Sequence, residues 1–268
     1  MTERIILLSL AILPVICLAY FVYRKDKFEK EPIRMLLKAF FFGCISAIPA
    51  IFLESMLTYS FISIGGNEMS GIIQGLWNGY AVAGCSEEFC KLILLALAVW
   101  KSREFNEYFD GIVYATFVSL GFAALENVMY VFDQESFYAS FVTGSMRAVL
   151  SVPGHFLFGV AMGYYFALAK FQPERRLYNL FMAFLIPMLL HGTFDALLMI
   201  PESMGEEYSW LSGILFPVFI WFDIRLWKIG MRKLGHLQQL SEEQYGDSFE
   251  NNTTTQMQDP FSNFKWDV

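Results

Sequence analysis

Two adjacent carboxylates and a lysine interrupt an apolar run in "GCSEEFCKLILL", residues 84–95, as Glu87, Glu88 and Lys91. Further polar groups follow in similar surroundings: Glu126 and Asn127 in "GFAALEN", His155 in "PGH", and His191 with Asp195 in "HGTFD". Glu87 and Lys91 are four residues apart, as are His191 and Asp195, and Glu88 and Lys91 are three apart. Each set therefore shares one face of a helix. Carboxylates and imidazoles gathered away from bulk solvent can act on water. A glutamate removes its proton as general base, and a histidine orients the water or returns the proton. The same residue types are also zinc ligands, and three of them around one open position would activate water by a different route. No HExxH pair is present, and His155 and His191 lie far apart in the chain.

The elements that must carry these groups are membrane helices. The 268 residues are 56% hydrophobic, 18% aromatic and only 17% charged, which exceeds the apolar share of an ordinary soluble domain. Stretches long enough to cross a bilayer, which takes about 20 helical residues, fall near 5–23, 33–57, 72–100, 111–132, 137–170, 177–200 and 210–229, so about seven spans are expected. The fold class is thus all-α, a polytopic transmembrane helical bundle. The fifth span is overlong, and Pro153 with Ser145, Arg147 and Ser151 predicts a kink or an interfacial first part. Arg147 reads there as a snorkelling side chain or a partner for an acidic loop residue.

Lysine and arginine cluster at Arg24–Lys38, Lys101–Arg103, Lys170–Arg176 and Arg225–Lys233, whereas the alternate loops carry Asp133, Glu135, Glu202, Glu206 and Glu207. Positive loops stay in the cytoplasm, so the N-terminus is expected outside and the C-terminus inside. The first apolar segment lacks a small-residue cleavage site and reads as an anchor. Cys17, Cys44, Cys85 and Cys90 fall in spans, where no disulfide framework is expected. Residues 1–236 read as one integral membrane domain, and the polar, acidic stretch 237–268 as a disordered cytoplasmic tail.

Each intramembrane charge costs about 2.5–3.5 kcal/mol at a helix centre, so the set would be hard to hold without mutual pairing. Counting residues along each span puts Glu87, Glu126, His155 and His191 between the midplane and the outer leaflet. Asn127 reads as an interhelical hydrogen-bond partner, and Gly159 with Gly163 as a GxxxG packing motif.

The four motifs, in this order on successive spans, resemble the PrsW family of intramembrane proteases, as do "KDKFEKEP" (25–32) and "YFDGIVYA" (108–115). The resemblance covers about residues 1–235. It implies a membrane-embedded protease of glutamic type, with a metal-dependent type as the open alternative. Such an enzyme cuts a single-pass membrane protein near its extracytoplasmic boundary, and the family's best-known substrate is an anti-sigma factor. It also implies location in the bacterial cytoplasmic membrane, with the lipid bilayer as surroundings and no nucleic-acid partner.

On this reading Glu87 or Glu88 is the base, Glu126 and His155 hold the water, and His191, oriented by Asp195, serves the oxyanion or the leaving amine. Lys91 and Asn127 support them. No cofactor is required; were a divalent metal such as zinc present, Glu88, Glu126, His155 and His191 would be its ligands. The family is in turn similar to type II CAAX prenyl proteases, from which this chain departs at Glu126, where those have histidine, and at Asp195, where asparagine is usual. A proton-coupled transporter, relaying protons through the same groups, and an inactive helix-binding scaffold are the rival classes.

Overall fold

The computed structural model of the chain describes residues 2–256. It is all helical in the expected sense: α1 (Thr2–Lys25), α2 (Ile33–Ser63), α3 (Gly71–Leu76), a π-helical segment (Trp77–Cys85), α4 (Ser86–Val99), α5 (Tyr108–Phe132), α6 (Phe137–Val149), α7 (Ser151–Phe171), α8 (Arg176–Met204) and α9 (Trp210–Gln256). Among the described residues, five helical segments are long and apolar enough to cross a membrane: Thr2–Lys25, Ile33–Ser63, Tyr108–Phe132, Phe137–Phe171 and Pro173–Met204. The expected third span, 72–100, is divided among α3, the π-helical segment and α4, and the expected seventh is the first half of α9.

The bundle is built around α5, whose side chains are buried without a break from Phe109 to Ala124. It packs against α7, α2 and α1. Glycine permits the closest crossings. A Cβ on Gly121 would lie 2.0 Å from the Phe40 carbonyl oxygen, and one on Gly163 would lie 2.4 Å from that of Gly111. The outward faces are greasy, with Leu13 and Tyr20 on α1 and Ile48 and Phe52 on α2 exposed. Charged side chains of the middle of the bundle turn inward instead. This arrangement suits hydrocarbon surroundings, where lipid supplies no hydrophobic drive and packing and polar contacts hold helices together.

The fifth apolar stretch breaks at Leu150 (φ −113°, ψ −60°), separating α6 from α7. Pro153 falls in the first turn of α7, where its missing N–H costs no helical bond.

The basic clusters all meet at one end of the bundle. Lys38 Nζ donates to the Ala98 carbonyl and Lys170 Nζ to the Trp100 carbonyl, both at 2.7 Å, so two lysines cap the C-terminus of α4. The two motifs at this end also meet: Tyr114 donates its hydroxyl proton to Glu31, and Asp110 Oδ2 accepts the backbone N–H of Glu107 at 2.7 Å. α9 reaches the same place. Ser241 Oγ accepts the Phe109 N–H at 2.9 Å, Gln244 donates to the Asn106 carbonyl at 2.8 Å, and Leu237 is fully buried. The tail expected to be disordered from 237 is therefore helical through Gln256 and partly docked. Its anchoring groups, Leu237 and Ser241, are only weakly marked as core by a polar sequence. Residues 257–268 lie outside the described residues.

Burial gives this end a pH dependence. Desolvation pushes the Glu31 carboxyl up to about 7 from an ordinary 4.5, beside Asp26, Glu104, Asp110 and Tyr114, and it does the same to Glu107. The folded state thus keeps protons that the unfolded chain has released. The contribution of these two groups to stability is fully present below about pH 4.5 and is lost as pH rises through about 7. Thermal melting in detergent across that window measures the slope. Replacing both residues by glutamine should flatten it, and an unchanged slope would remove these groups as the cause.

Candidate functional site

The chemistry-bearing residues come together from four helices. On α4, Glu87, Glu88 and Lys91 form a buried triad: Lys91 Nζ donates to Glu87 Oε2 at 3.0 Å and to Glu88 Oε1 at 2.8 Å. The ammonium also lies 3.1 Å from His155 Nδ1 of α7 and 4.0 Å above the Phe122 ring of α5. An ammonium has only protons to give, so His155 Nδ1 accepts here and Nε2 carries the ring proton. That nitrogen is 2.8 Å from Glu126 Oε2 on α5.

On α8, His191 Nδ1 is 2.9 Å from Glu88 Oε1, and Nε2 is 3.3 Å from Asp195 Oδ2. Both ring nitrogens face carboxylates, an arrangement satisfied when both carry hydrogens. The two imidazoles are 5.2 Å apart between centroids, and Phe158 stacks on His191 at 4.7 Å.

The motif neighbours explain the placement. In "HGTFD", Gly192 leaves room for the Tyr80 ring, which a Cβ would meet at 2.3 Å, and the Tyr80 hydroxyl is 2.7 Å from Thr193 Oγ1. Phe194 fills the space beside Gly154, the glycine of "PGH". Ser119 Oγ donates to the His155 carbonyl at 2.6 Å and so ties the start of α7 to α5.

A cavity of about 1370 Å³ opens beside this cluster. Glu87, Glu126, His155, His191 and Asp195 all line it. Glu88 does not; it is fully buried, and its Oε2 has no hydrogen-bond partner. All six candidate catalytic residues are thus in one network, with Lys91 at its centre. Asn127 is the helix-to-helix bridge expected of it: its Nδ2 donates to the Ala11 carbonyl of α1 at 3.3 Å.

One reading changes and one residue is added. Arg147 is not a snorkelling side chain. Its Nη2 is 2.8 Å from Glu126 Oε2, an ion-pair contact off the line of a hydrogen bond, and its Nε donates to Asn127 Oδ1 at 2.7 Å. Glu54 of α2 is an additional carboxylate on the cavity wall. Its signal was a lone acid in a long apolar span, which is expensive unless used.

The four groups whose ligand atoms lie within 4.8 Å of one another are Glu87, Glu88, His155 and His191. Glu126 stands one ring further out, behind His155, because Arg147 holds it there; Glu87 takes the place expected of it. Two carboxylates and two imidazoles are a donor set that suits a divalent ion such as zinc, and the unpartnered Glu88 Oε2 leaves ligating capacity unused. Three of the four donors are meanwhile bonded to the Lys91 ammonium.

A helical membrane bundle whose carboxylates and imidazoles line a large cavity between its helices has the build of an intramembrane hydrolase. Residues 31–222 match the model of the PrsW family intramembrane metalloprotease, and the chain belongs to that family. It is a membrane-embedded protease and a multi-pass protein of the bacterial cell membrane. It is 39% identical over 230 residues to Protease PrsW of Clostridioides difficile (strain 630), covering 85% of this chain and 90% of that one. It is 34% identical over 229 residues to Protease PrsW of Geobacillus kaustophilus (strain HTA426), with 85% and 90% covered, and to that of Bacillus subtilis (strain 168), with 85% and 93% covered. No solved structure gives a significant match.

Proposed function

We propose that this protease cuts a single-pass membrane protein, an anti-sigma factor, near its extracytoplasmic boundary, with water activated by Glu87. The observation that carries this reading is the shared cavity wall of Glu87, His155 and His191, with a lysine as its internal cation. In this reading the chain has seven spans, an outer N-terminus, and a cavity open to the outer side.

Glu87 is the member of the glutamate pair that meets the cavity. It takes the proton of a water positioned beside it, and the hydroxide attacks the scissile carbonyl. His155 and Glu126 border the same water. His191 Nε2 makes the longer of its two contacts, with Asp195 on the cavity side, so its proton is the one delivered to the departing amine. The developing oxyanion is met by the same edge of the ring. Glu88 holds Lys91 and His191 and does not touch substrate.

A divalent ion, when bound, would be held by Glu87, Glu88, His155 and His191 and would supply Lewis-acid polarisation and a more acidic water. The test is reconstitution of the purified protein in liposomes with a single-pass anti-sigma factor, with and without a strong chelator. Cleavage that persists with chelator is expected. Cleavage lost to chelator and regained with zinc would overturn the metal-independent reading, and proton flux without cleavage would overturn the protease mechanism.

A further inference from the structure

Glu126 Oε2 is approached by two groups at once, Arg147 Nη2 and His155 Nε2, each at 2.8 Å. These two residues are eight apart in sequence, about 12 Å along the axis of an uninterrupted helix. Helical geometry is interrupted between them at Leu150, and the long Arg147 side chain and the His155 ring reach the same oxygen from either side of that interruption. One carboxylate oxygen thereby joins the last turn of α6 to the first turns of α7.

The guanidinium is itself locked. Its Nε bonds Asn127 Oδ1 at 2.7 Å, and it lies 4.2 Å over the Tyr130 ring, so one face of α5 supplies the carboxylate, the amide and the aromatic surface. We infer that Arg147 is a positioning residue for catalysis, fixing the Glu126 carboxylate so that it accepts the His155 Nε2 proton and leaves Nδ1 turned to Lys91.

This role rests on the proposed hydrolysis. Without the guanidinium, Glu126 has one partner on a cavity wall and can rotate away. His155 then loses the acceptor that sets its tautomer and ring plane, which disturbs the proton bookkeeping of the whole cluster. Arg147 borders the cavity, but its guanidinium is turned to Glu126, Asn127 and Tyr130 of α5, so the expected effect falls on the chemical step.

The experiment uses full-length protein in liposomes and a single-pass anti-sigma factor, comparing wild type, Arg147→Met, Arg147→Lys and Asn127→Ala. Misplacing a catalytic group by about 1 Å can cost on the order of 100-fold, so Arg147→Met should lower kcat by roughly that factor with KM unchanged. Arg147→Lys should recover most of the rate. Asn127→Ala, which frees the guanidinium without removing its charge, should fall between.

In a Glu126→Gln background, Arg147→Met should add little further loss. Wild-type kcat in Arg147→Met, or a loss confined to KM or to melting temperature, would overturn the inference. If Arg147→Met fails to insert, a lysine variant as slow as Glu126→Gln would also overturn it. A wild type that cleaves nothing removes the protease mechanism beneath it; a cleaving wild type with an unimpaired Arg147→Met removes only this role.

Discussion

Glu87→Gln should lower the cleavage rate by roughly 10³-fold while leaving the bundle folded, the loss typical of removing a positioned general base. The substitution is close to isosteric. Its amide oxygen can still accept from Lys91, so the contact at 3.0 Å survives, but the carboxylate assigned to take the water's proton is gone, and Glu126 on the same wall is tied to Arg147 and His155. Glu88→Gln is a different experiment. That residue is sealed from the cavity and bonds both Lys91 and His191, so its loss should act through the placement of His191 and through stability. Rates in liposomes, together with melting curves, separate the two. A folded Glu87→Gln protein with the wild-type rate would show that another group is the base.

Lys91→Met should destabilise the bundle by about 3–5 kcal/mol, the cost of stripping one partner from a buried ion pair. The lysine is fully buried, and its three donor directions are spent on Glu87, Glu88 and His155. Methionine fills similar volume but leaves two buried carboxylates with only the His191 ring to share between them. The charge mismatch, not the lost packing, is the damaging part. Accordingly, Lys91→Met combined with Glu88→Gln should recover much of the stability although not the activity. Urea or thermal unfolding in detergent decides this: equal instability of the single and double variants would mean that packing matters more than charge.

Much of this site was legible because charge in an apolar helix is rare and helical spacing is rigid. Glu87, Glu88 and Lys91 announced a shared face, and His191 with Asp195 did likewise; both pairs contact as spacing required. What spacing cannot give is azimuth between helices. Arg147 appeared interfacial because it sits near a predicted kink, and only the packing of α6 against α5 brings it to Glu126. Glu54 was hidden by its solitude, since no partner within four residues marked a functional face. The tail misled for a related reason: its polar composition is that of a solvated segment, yet two positions, Leu237 and Ser241, suffice to dock a helix against α5 and the loop before it.

The glutamate pair is preceded by nine residues of π-helix, Trp77–Cys85, and this segment is pressed against α8 through Gly79 and Gly84. Its wider turn sets the angle at which α4 begins. One residue added to or removed from an α-helix rotates everything beyond it by about 100°. A gap between Tyr80, bonded to α8, and Glu87, turned to the cavity, would therefore swing both carboxylates toward lipid without altering a single side chain of the site. The stretch works as a ruler: its length, more than its composition, sets where the two carboxylates point.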